Sequence, residues 1–243
     1  MLSVLYQDEH LVAISKPPGL LVHRTGLDAG ETQFAMQLLR DQLGRHVWPV
    51  HRLDKGTSGV LLFALDADTA RLLGQQFESG QDMQKTYRAV VRGWPLNEGL
   101  IDHPLRRLDD DARAQRLEVQ SAITHYCTLD RLELPLPHSS PHGNHPTTRV
   151  ALVELQPETG RRHQLRRHLK HLAHPILGDS THGKGPLNRA VADLMGLQRL
   201  WLHALELALR HPHTAQPLRL HAPLGPQWQA WEAHRANRTE RGS

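Results

Sequence analysis

The strongest constraint on the fold comes from residues 51–65, where a polar turn runs directly into an unbroken apolar segment. Residues 60–65 read Val-Leu-Leu-Phe-Ala-Leu, a pattern typical of a strand that is buried on both faces of a sheet. The Gly-Thr-Ser-Gly before this run can turn tightly, because glycine tolerates backbone angles that other residues avoid. Asp54 precedes that turn, between the cations Arg52 and Lys55. A single Asp in such a place is more often a surface turn residue than a reactive group, so its role depends on the rest of the chain.

The composition is that of a soluble globular protein. Apolar residues make up 39% of the 243 residues and charged residues 22%. No linker divides the chain, so we expect one domain over residues 1–237 and a disordered polar tail at residues 238–243. Apolar runs are far shorter than the roughly 20 residues of a membrane helix, and the first residues do not follow a signal-peptide pattern. The lone Cys127 fits a reducing compartment, and we expect a cytoplasmic protein without a membrane partner.

Positive charge is concentrated in one short segment although the net charge is only +4. Between residues 161 and 170 lie five cations: Arg161, Arg162, Arg166, Arg167 and Lys170. The 19 histidines add groups that are partly protonated near neutral pH. A basic helix of this kind is equally compatible with a solvated surface and with a nucleic-acid-binding face.

The hydrophobic pattern predicts a mixed α+β fold with a largely antiparallel central sheet, flanking helices and a cleft across the sheet. We predict a polar tip at residues 138–146 and a charged loop with broken strands at residues 94–116. Strands are expected at residues 2–6, 11–15, 84–93, 121–132, 147–155 and 200–209. Helices are expected at residues 32–43, 68–78, 162–173, 188–195 and 227–236.

Two motif-like features do not indicate the sites that they resemble. Residues 178–184 have the glycine spacing of a phosphate-binding P-loop, but Gly185 replaces the hydroxyl residue that such a loop needs, so we expect a surface loop. His163, His168, His171 and His174 are spaced by three or more residues around a helix, with no carboxylate among them. We therefore expect these histidines to face RNA rather than a metal ion.

Three residues could form a pocket for a nucleobase that is flipped out of an RNA helix. Asp54 supplies a carboxylate, and Tyr87 supplies an aromatic plane with a hydroxyl. Arg166 supplies a cation that could hold Asp54 ionised and oriented, since an opposite charge favours the ionised form of a carboxylate. Stacking on an aromatic ring and contacts to phosphates are the interactions that a flipped base requires.

The chain resembles the RluA-type pseudouridine synthases in five segments that follow the family's order. The segment 51–59 resembles the family's catalytic motif, and the others are residues 16–19 (Lys-Pro-Pro-Gly), 85–87 (Lys-Thr-Tyr), 159–166 (Thr-Gly-Arg-Arg-His-Gln-Leu-Arg) with 174–179, and 202–204 (Leu-His-Ala). These segments span almost the whole chain. The chain begins at the first strand of the catalytic domain, so we expect no N-terminal accessory RNA-binding domain.

The resemblance implies a role for each matched residue. Asp54 would be the catalytic aspartate, Arg166 its partner, and Tyr87 the residue that stacks on the target base. Arg52 would help to displace the flipped uridine. Further RNA contacts are expected from His51, Lys85, Arg161, His163 and Arg167.

The implied reaction is an isomerisation in which uracil is detached from the ribose at nitrogen 1 and rejoined at carbon 5. Asp54 would either attack the sugar or remove a sugar proton, and the sequence does not distinguish these routes. The reaction needs no cofactor and no metal. The likeness is strongest to members that act on tRNA, which implies uridine 65 in the stem of the T arm. We also expect a monomer that needs no protein partner.

Three alternative functions are open for this sequence. The alternatives are a pseudouridine synthase that acts on ribosomal RNA and a non-catalytic RNA-binding protein of the same fold. A glycosidase would require a second catalytic carboxylate, and no residue stands out in that role, with Asp179 left open.

Overall fold

The strand predicted from the apolar run lies in the middle of a ten-stranded sheet. The computed structural model describes residues 1–23, 30–108, 118–140 and 143–231. The strands are β1 (Ser3–Gln7), β2 (Leu11–Lys16), β3 (Trp48–Pro49), β4 (Ser58–Ala64), β5 (Gln84–Arg92), β6 (Glu98–Asp102), β7 (Leu105–Arg106), β8 (Val119–Gln120), β9 (Ile123–Leu134), β10 (His138–Ser140), β11 (Gly143–His145), β12 (Thr148–Pro157), β13 (Leu202–Arg210) and β14 (Pro217–His221). The helices are α1 (Ala35–Leu43), α2 (Ala67–Ser79), α3 (Gln164–His171) and α4 (Gly185–Met195), and a 3₁₀ turn follows at Pro226–Trp228.

The main sheet has the strand order β1-β2-β4-β13-β5-β12-β9-β6, with β3 paired to β4 and β14 paired to β13. All the strand pairs described in this sheet are antiparallel except β4 with β13, which run parallel. The predicted mixed, largely antiparallel sheet is therefore confirmed. The parallel pair brings the turn before β4 next to the start of β13, which is where the candidate site lies.

Helices pack on both faces of this sheet. On one face α1 contributes Ala35 and Leu39, and α3 contributes Leu165 and Leu169. Tyr87 packs against both of these clusters, which shows that they share a face. On the opposite face lie α2 and α4, packed against the alternate residues of the same strands. Because β4 is covered on both sides, every one of its residues is buried, which explains its unbroken apolar sequence.

Local signals fix the helix ends. Asp66 caps α2, since its carboxylate accepts a hydrogen bond from the Thr69 amide at 2.7 Å. Gly44 and Gly80 end α1 and α2 in the left-handed conformation. Helix α1 begins three residues later than predicted, because Phe34 is extended and pairs with Leu21.

The shorter elements agree with the predictions only in part. Residues 94–106 contain the strands β6 and β7, in agreement with broken strands in this region. The polar tip forms the short hairpin β10–β11. Strand β14 was not predicted, although Leu218 and Leu220 alternate with polar residues in its five-residue sequence. The predicted tail at residues 238–243 and the end of the closing helix lie outside the described residues.

Candidate active site

Asp54 lies in a tight turn that is held in place by hydrogen bonds from Lys16, at the end of β2. The Thr57 amide donates to the Asp54 carbonyl at 3.0 Å. The fully buried Lys16 donates from Nζ to the carbonyls of Leu20 at 2.7 Å and of Lys55 at 3.2 Å. Lys16 therefore joins the end of β2 to the Asp54 turn. The sequence identified residues 16–19 only as part of the family resemblance, and this anchoring contact was missed.

A buried polar chain supports the turn from the side of β13. Arg199 Nη2 donates to Ser58 Oγ at 2.7 Å, and Ser58 Oγ lies 2.8 Å from His203 Nδ1. His203 Nε2 lies 2.9 Å from the Ala222 carbonyl, so Nε2 carries the proton and Nδ1 accepts from Ser58. Burial lowers the pKa of His203 to about 4, which keeps the ring neutral in this chain. The Leu-His-Ala segment thus holds the residue that starts β4.

Arg166 connects Asp54 to a second, deeply buried carboxylate. Its Nη1 donates to Asp54 Oδ2 at 3.0 Å. Its Nε and Nη2 form a bidentate pair with Asp179, at 2.7 Å and 2.8 Å. The pair with Asp179 fixes the plane of the guanidinium, so the third hydrogen bond points in a defined direction at Asp54. The structure therefore brings together two of the three residues that the sequence joined.

Asp179 has a structural role that the sequence did not reveal. Burial alone would raise the pKa of its carboxyl, but hydrogen bonds from Arg166 and from the amides of Thr181 and His182 outweigh burial and lower it. Asp179 is only 1% exposed. The prediction of a surface loop at residues 178–184 is therefore wrong at its start, because Asp179 is needed inside to neutralise Arg166.

Tyr87 reaches the same region through the register of the sheet. Tyr87 on β5 is opposite Ala204 on β13, which in turn is opposite Gly59 on β4. Burial and the nearby Asp54 carboxylate raise the pKa of the Tyr87 phenol well above its usual value of 10.0. The phenol is therefore protonated at any physiological pH and is available as a hydrogen-bond donor.

His163 lies against the other side of Asp54. Its backbone is left-handed, with φ 55° and ψ 25°, an uncommon conformation for a residue other than glycine. Its Nε2 lies 3.8 Å from Asp54 Oδ1, and its Nδ1 lies 3.2 Å from His182 Nε2. The sequence placed His163 on the RNA backbone, and its closeness to Asp54 was not foreseen.

Two clefts meet at Asp54. The larger has a volume of about 740 Å³ and is also lined by Lys55 and Arg199. The smaller has a volume of about 320 Å³ and is also lined by Lys85 and Tyr87. Both clefts share the residues Arg52, Leu53, Asp54, Arg162, His163 and Arg166. A group bound at the junction would contact Asp54 from either side.

A groove beside the smaller cleft is lined by six arginines. Its volume is about 300 Å³, and no carboxylate lines it in the part of the chain that the structure describes. The six are Arg52, Arg106, Arg107, Arg161, Arg162 and Arg167. We call this surface the arginine groove. The sequence identified four of these residues but not Arg106 and Arg107, since the segment around them was read only as a charged loop.

The other predicted RNA-binding residues lie around these openings. Arg52 is exposed and lines both clefts and the arginine groove. Lys85 is half-buried in the smaller cleft. Arg161 donates a hydrogen bond to the Ser121 carbonyl at 3.0 Å, and Arg167 donates one to the Arg106 carbonyl at 2.9 Å. Both arginines also line the arginine groove.

His51 is engaged within the fold instead. Its Nε2 accepts a hydrogen bond from the Leu62 amide at 2.9 Å, and its ring stacks on Phe77 of α2 with a centroid distance of 4.6 Å. Burial lowers the pKa of His51 to about 3, so the ring is neutral. One ring nitrogen and one ring face of His51 are therefore used inside the fold, and its contact with RNA stays a prediction.

The histidines of α3 and the segment after it do not form one RNA-facing row. His168 is fully buried between Thr124 Oγ1 and the His103 carbonyl, at 2.9 Å and 3.0 Å. His174 Nδ1 contacts the Arg92 carbonyl at 2.8 Å. The prediction that these histidines face RNA is therefore wrong for His168, which is buried against β9, and it stays a prediction for the half-buried His174.

Among the described residues, one group could hold a metal ion. It consists of His10, Asp66 and His213. Asp66 follows β4 whereas Asp54 precedes it, so this group lies at the opposite end of the strand from the candidate site.

Comparison with known proteins identifies the family. A family model described as RNA pseudouridylate synthase matches residues 10–171. The chain belongs to this family. Its relatives include proteins named tRNA pseudouridine synthase C from Vibrio cholerae, 50% identical over 94% of this chain and 93% of that protein, and from Yersinia pestis, 51% identical over 94% and 89%. The solved structure of Human RNA Pseudouridylate Synthase Domain Containing 4 is 29% identical, with a TM-score of 0.67, and covers 98% of this chain and 93% of that chain.

Membership of the pseudouridylate synthase family confirms two predictions. The fold is that of the family, and the chain is an isomerase that forms pseudouridine in RNA. None of the described helices is long and apolar enough to cross a membrane.

Proposed function

We propose that this enzyme converts uridine 65, in the stem of the T arm of tRNA, into pseudouridine. The RNA class is suggested by the relatives named tRNA pseudouridine synthase C, at about half identity over nearly the whole chain. The position within the tRNA follows from the resemblance. The observation that carries the chemistry is the bidentate Arg166–Asp179 pair, which directs the free Nη1 of Arg166 at Asp54.

Asp54 is the catalytic carboxylate in this proposal. The bond between N1 of uracil and C1′ of ribose breaks, and a bond between C5 and C1′ forms. N1 gains a proton and C5 loses one, so the reaction balances without an oxidant or a hydrolytic water. Attack on C1′ and removal of a sugar proton both require an ionised carboxylate close to the ribose. Arg166 donates to Oδ2 of Asp54 and so fixes the orientation of the carboxylate toward the substrate.

Tyr87 provides one wall of the base pocket. It lines the smaller cleft with Asp54 and Lys85. An aromatic ring at this position can stack on uracil, and its protonated phenol can donate a hydrogen bond to a base or sugar oxygen. Because the pKa of the phenol is raised, Tyr87 acts as a donor rather than as a base at neutral pH.

The arginine groove is the proposed binding surface for the RNA backbone. Six guanidinium groups line this groove, and guanidinium groups suit the closely spaced phosphates of an A-form stem. Arg52 lines both this groove and the two clefts, so it stands between the bound backbone and Asp54. A paired uridine must be flipped at a cost of roughly a few kcal/mol, and contacts from Arg52 could offset part of that cost.

The alternatives receive less support from the site. A non-catalytic RNA-binding protein has no need for a buried arginine between two carboxylates, since burying such charges costs free energy. A glycosidase needs a second reactive carboxylate, but both oxygens of Asp179 accept hydrogen bonds from Arg166. A ribosomal RNA substrate differs from tRNA only in the RNA that is bound, so it is tested directly.

The test compares three RNAs at the same salt concentration. The purified protein is incubated with an intact tRNA transcript, the isolated T-arm hairpin and a ribosomal RNA fragment, and pseudouridine is mapped at single-nucleotide resolution. We expect modification at position 65 of the intact tRNA and weaker modification of the hairpin. Preference for the ribosomal fragment would overturn the substrate but not the chemistry. Absence of pseudouridine in all three RNAs would overturn the proposal.

A further inference from the structure

The backbone of His163 is strained in a way that a different residue would avoid. A residue with a side chain is strained in the left-handed conformation, whereas glycine adopts it freely. The turn itself is held by other residues, because Gln164 Oε1 accepts from Thr159 Oγ1 at 2.7 Å and from the Arg161 amide at 3.0 Å. The imidazole is therefore not needed to form the turn. The effect of the conformation is to direct the imidazole into the site.

The imidazole completes a closed ring of polar contacts around Asp54. Arg166 joins Asp54 to Asp179, and Asp179 accepts a hydrogen bond from the His182 amide at 2.8 Å. The ring of His182 contacts His163, and His163 faces Asp54 Oδ1. Arg166 and His163 thus approach the two different oxygens of Asp54 from opposite ends of the ring.

We propose that His163 is a positioning residue that holds Oδ1 of Asp54 through its Nε2–H group, while His182 fixes the tautomer of His163. This inference rests on the proposed catalytic role of Asp54. The distance of 3.8 Å between Nε2 and Oδ1 exceeds a hydrogen bond. Hydrogen bonds in active sites are often long without substrate and shorten when the substrate is bound. The contact would close as RNA fills the clefts.

Both histidine rings are neutral, and this determines which nitrogen of each ring donates a hydrogen bond. Burial lowers the pKa of His163 to about 4, with Asp54 opposing that shift and the cations Arg166 and Arg162 adding to it. Burial also lowers the pKa of His182. Two neutral rings each have one N–H group. Because a carboxylate only accepts, His163 must donate from Nε2, and its Nδ1 must then accept from His182 Nε2.

The left-handed backbone allows the side chain to be tested separately from the turn. His163→Gly and His163→Asn keep a residue that adopts this conformation easily, but they remove Nε2. His163→Gln keeps an N–H donor at about the position of Nε2. Single-turnover rates at saturating tRNA and tRNA affinities are measured for all three variants. We expect the rate to fall about a hundredfold for Gly and Asn, with affinity changed less than about threefold, and Gln to recover most of the rate.

The outcomes separate this inference from the proposed function. A wild-type rate for His163→Gly would overturn the inference, as would a loss of affinity alone, which would indicate an RNA contact. A Gln variant as slow as the Gly variant would also count against the inference. The loss of rate would then not depend on the presence of an N–H donor near the position of Nε2. His182→Ala should be slowed about tenfold, and an unchanged rate would remove His182 from the proposal. If the wild-type protein forms no pseudouridine on any of the three RNAs, the proposed function itself fails.

Discussion

Arg166 uses its guanidinium in a way that a lysine side chain cannot copy. The guanidinium donates three hydrogen bonds in one plane, two to Asp179 and one to Asp54. Burial would lower the pKa of Arg166, but the hydrogen bonds to Asp179 and the charges of both carboxylates raise it. An ammonium group is a point charge without this geometry, so it could satisfy one carboxylate only at the expense of the other.

We therefore predict that Arg166→Lys lowers the single-turnover rate by about a hundredfold. The matched control is Arg167→Lys on the same helix, which contacts only the Arg106 carbonyl among the described residues and lines the arginine groove. The control should weaken tRNA binding modestly and leave the rate at saturating tRNA unchanged. Rates and affinities of both variants decide the point, and a fully active Arg166→Lys enzyme would show that the planar contact is dispensable.

At the scale of single residues, the sequence predicted the groups that meet but not all of their neighbours. Asp54, Tyr87 and Arg166 were identified because each lies in a recognisable motif. Asp179 was considered only as a possible second acid, since no local pattern shows that an acid 13 residues after an arginine will bind it. His51 was assigned to RNA by its place in the motif, but its stacking on Phe77 depends on how α2 packs.

The parallel pairing of β4 with β13 is the element on which the site depends most. Gly59 has φ +114°, and a Cβ atom added there would lie 2.1 Å from the Ala204 carbonyl oxygen. No rotation of a side chain can relieve that overlap, because the contact is with backbone. Gly59 is also the residue through which β4 meets β13, five residues after Asp54.

We predict that Gly59→Ala destabilises the protein by about 3 kcal/mol or more and lowers activity, because β4 must move away from β13. Gly74→Ala is the matched control, since Gly74 lies in α2 and has nothing within 4 Å of an added Cβ. That substitution should stabilise the protein by about 0.5–1 kcal/mol. Urea denaturation of both variants measures the effect, and equal stabilities would contradict the close approach of the two strands.

The longer elements were predictable, whereas short strands such as β3 and β14 were not. Strands β4, β5 and β12 have apolar patterns strong enough to define them, and α2 has a cap and a glycine stop. The pairing order of the strands is not a local property, so the sequence could not show that β13 lies between β4 and β5. That order is what brings Tyr87 to the Asp54 turn.

Across the whole molecule, several histidines are kept neutral by burial. His203 has a pKa of about 4 in the folded chain, below the value of 6.5 for an exposed ring. Between these values the unfolded chain binds more protons than the folded one. Stability is therefore lost as the pH falls from about 6.5 toward 4, and for one such residue the loss is about 3 kcal/mol.

We predict that His203→Gln reduces the acid sensitivity of the fold. Between pH 7 and pH 4.5 the free energy of unfolding of the variant should fall less than that of the wild-type protein, by about 2–3 kcal/mol. The control His125→Gln changes a histidine whose side chain is 53% exposed and contacts the equally accessible Glu158, so solvent screens its contribution to stability. Urea denaturation at the two pH values provides the measurement. Parallel curves for all three proteins would show that His203 is not held neutral in the fold.

If Asp54 performs the isomerisation, the decisive measurement is the number of pseudouridines formed per tRNA by the wild-type protein and by Asp54→Asn. Asparagine preserves the size of the side chain and can still contact Arg166, so folding and most tRNA affinity should be retained; losing one charge among many phosphate contacts changes binding by no more than about a few-fold. We predict about one pseudouridine per tRNA for the wild-type enzyme and none for the variant at equal occupancy of the RNA. Measurable turnover by the purified Asp54→Asn protein would contradict the account.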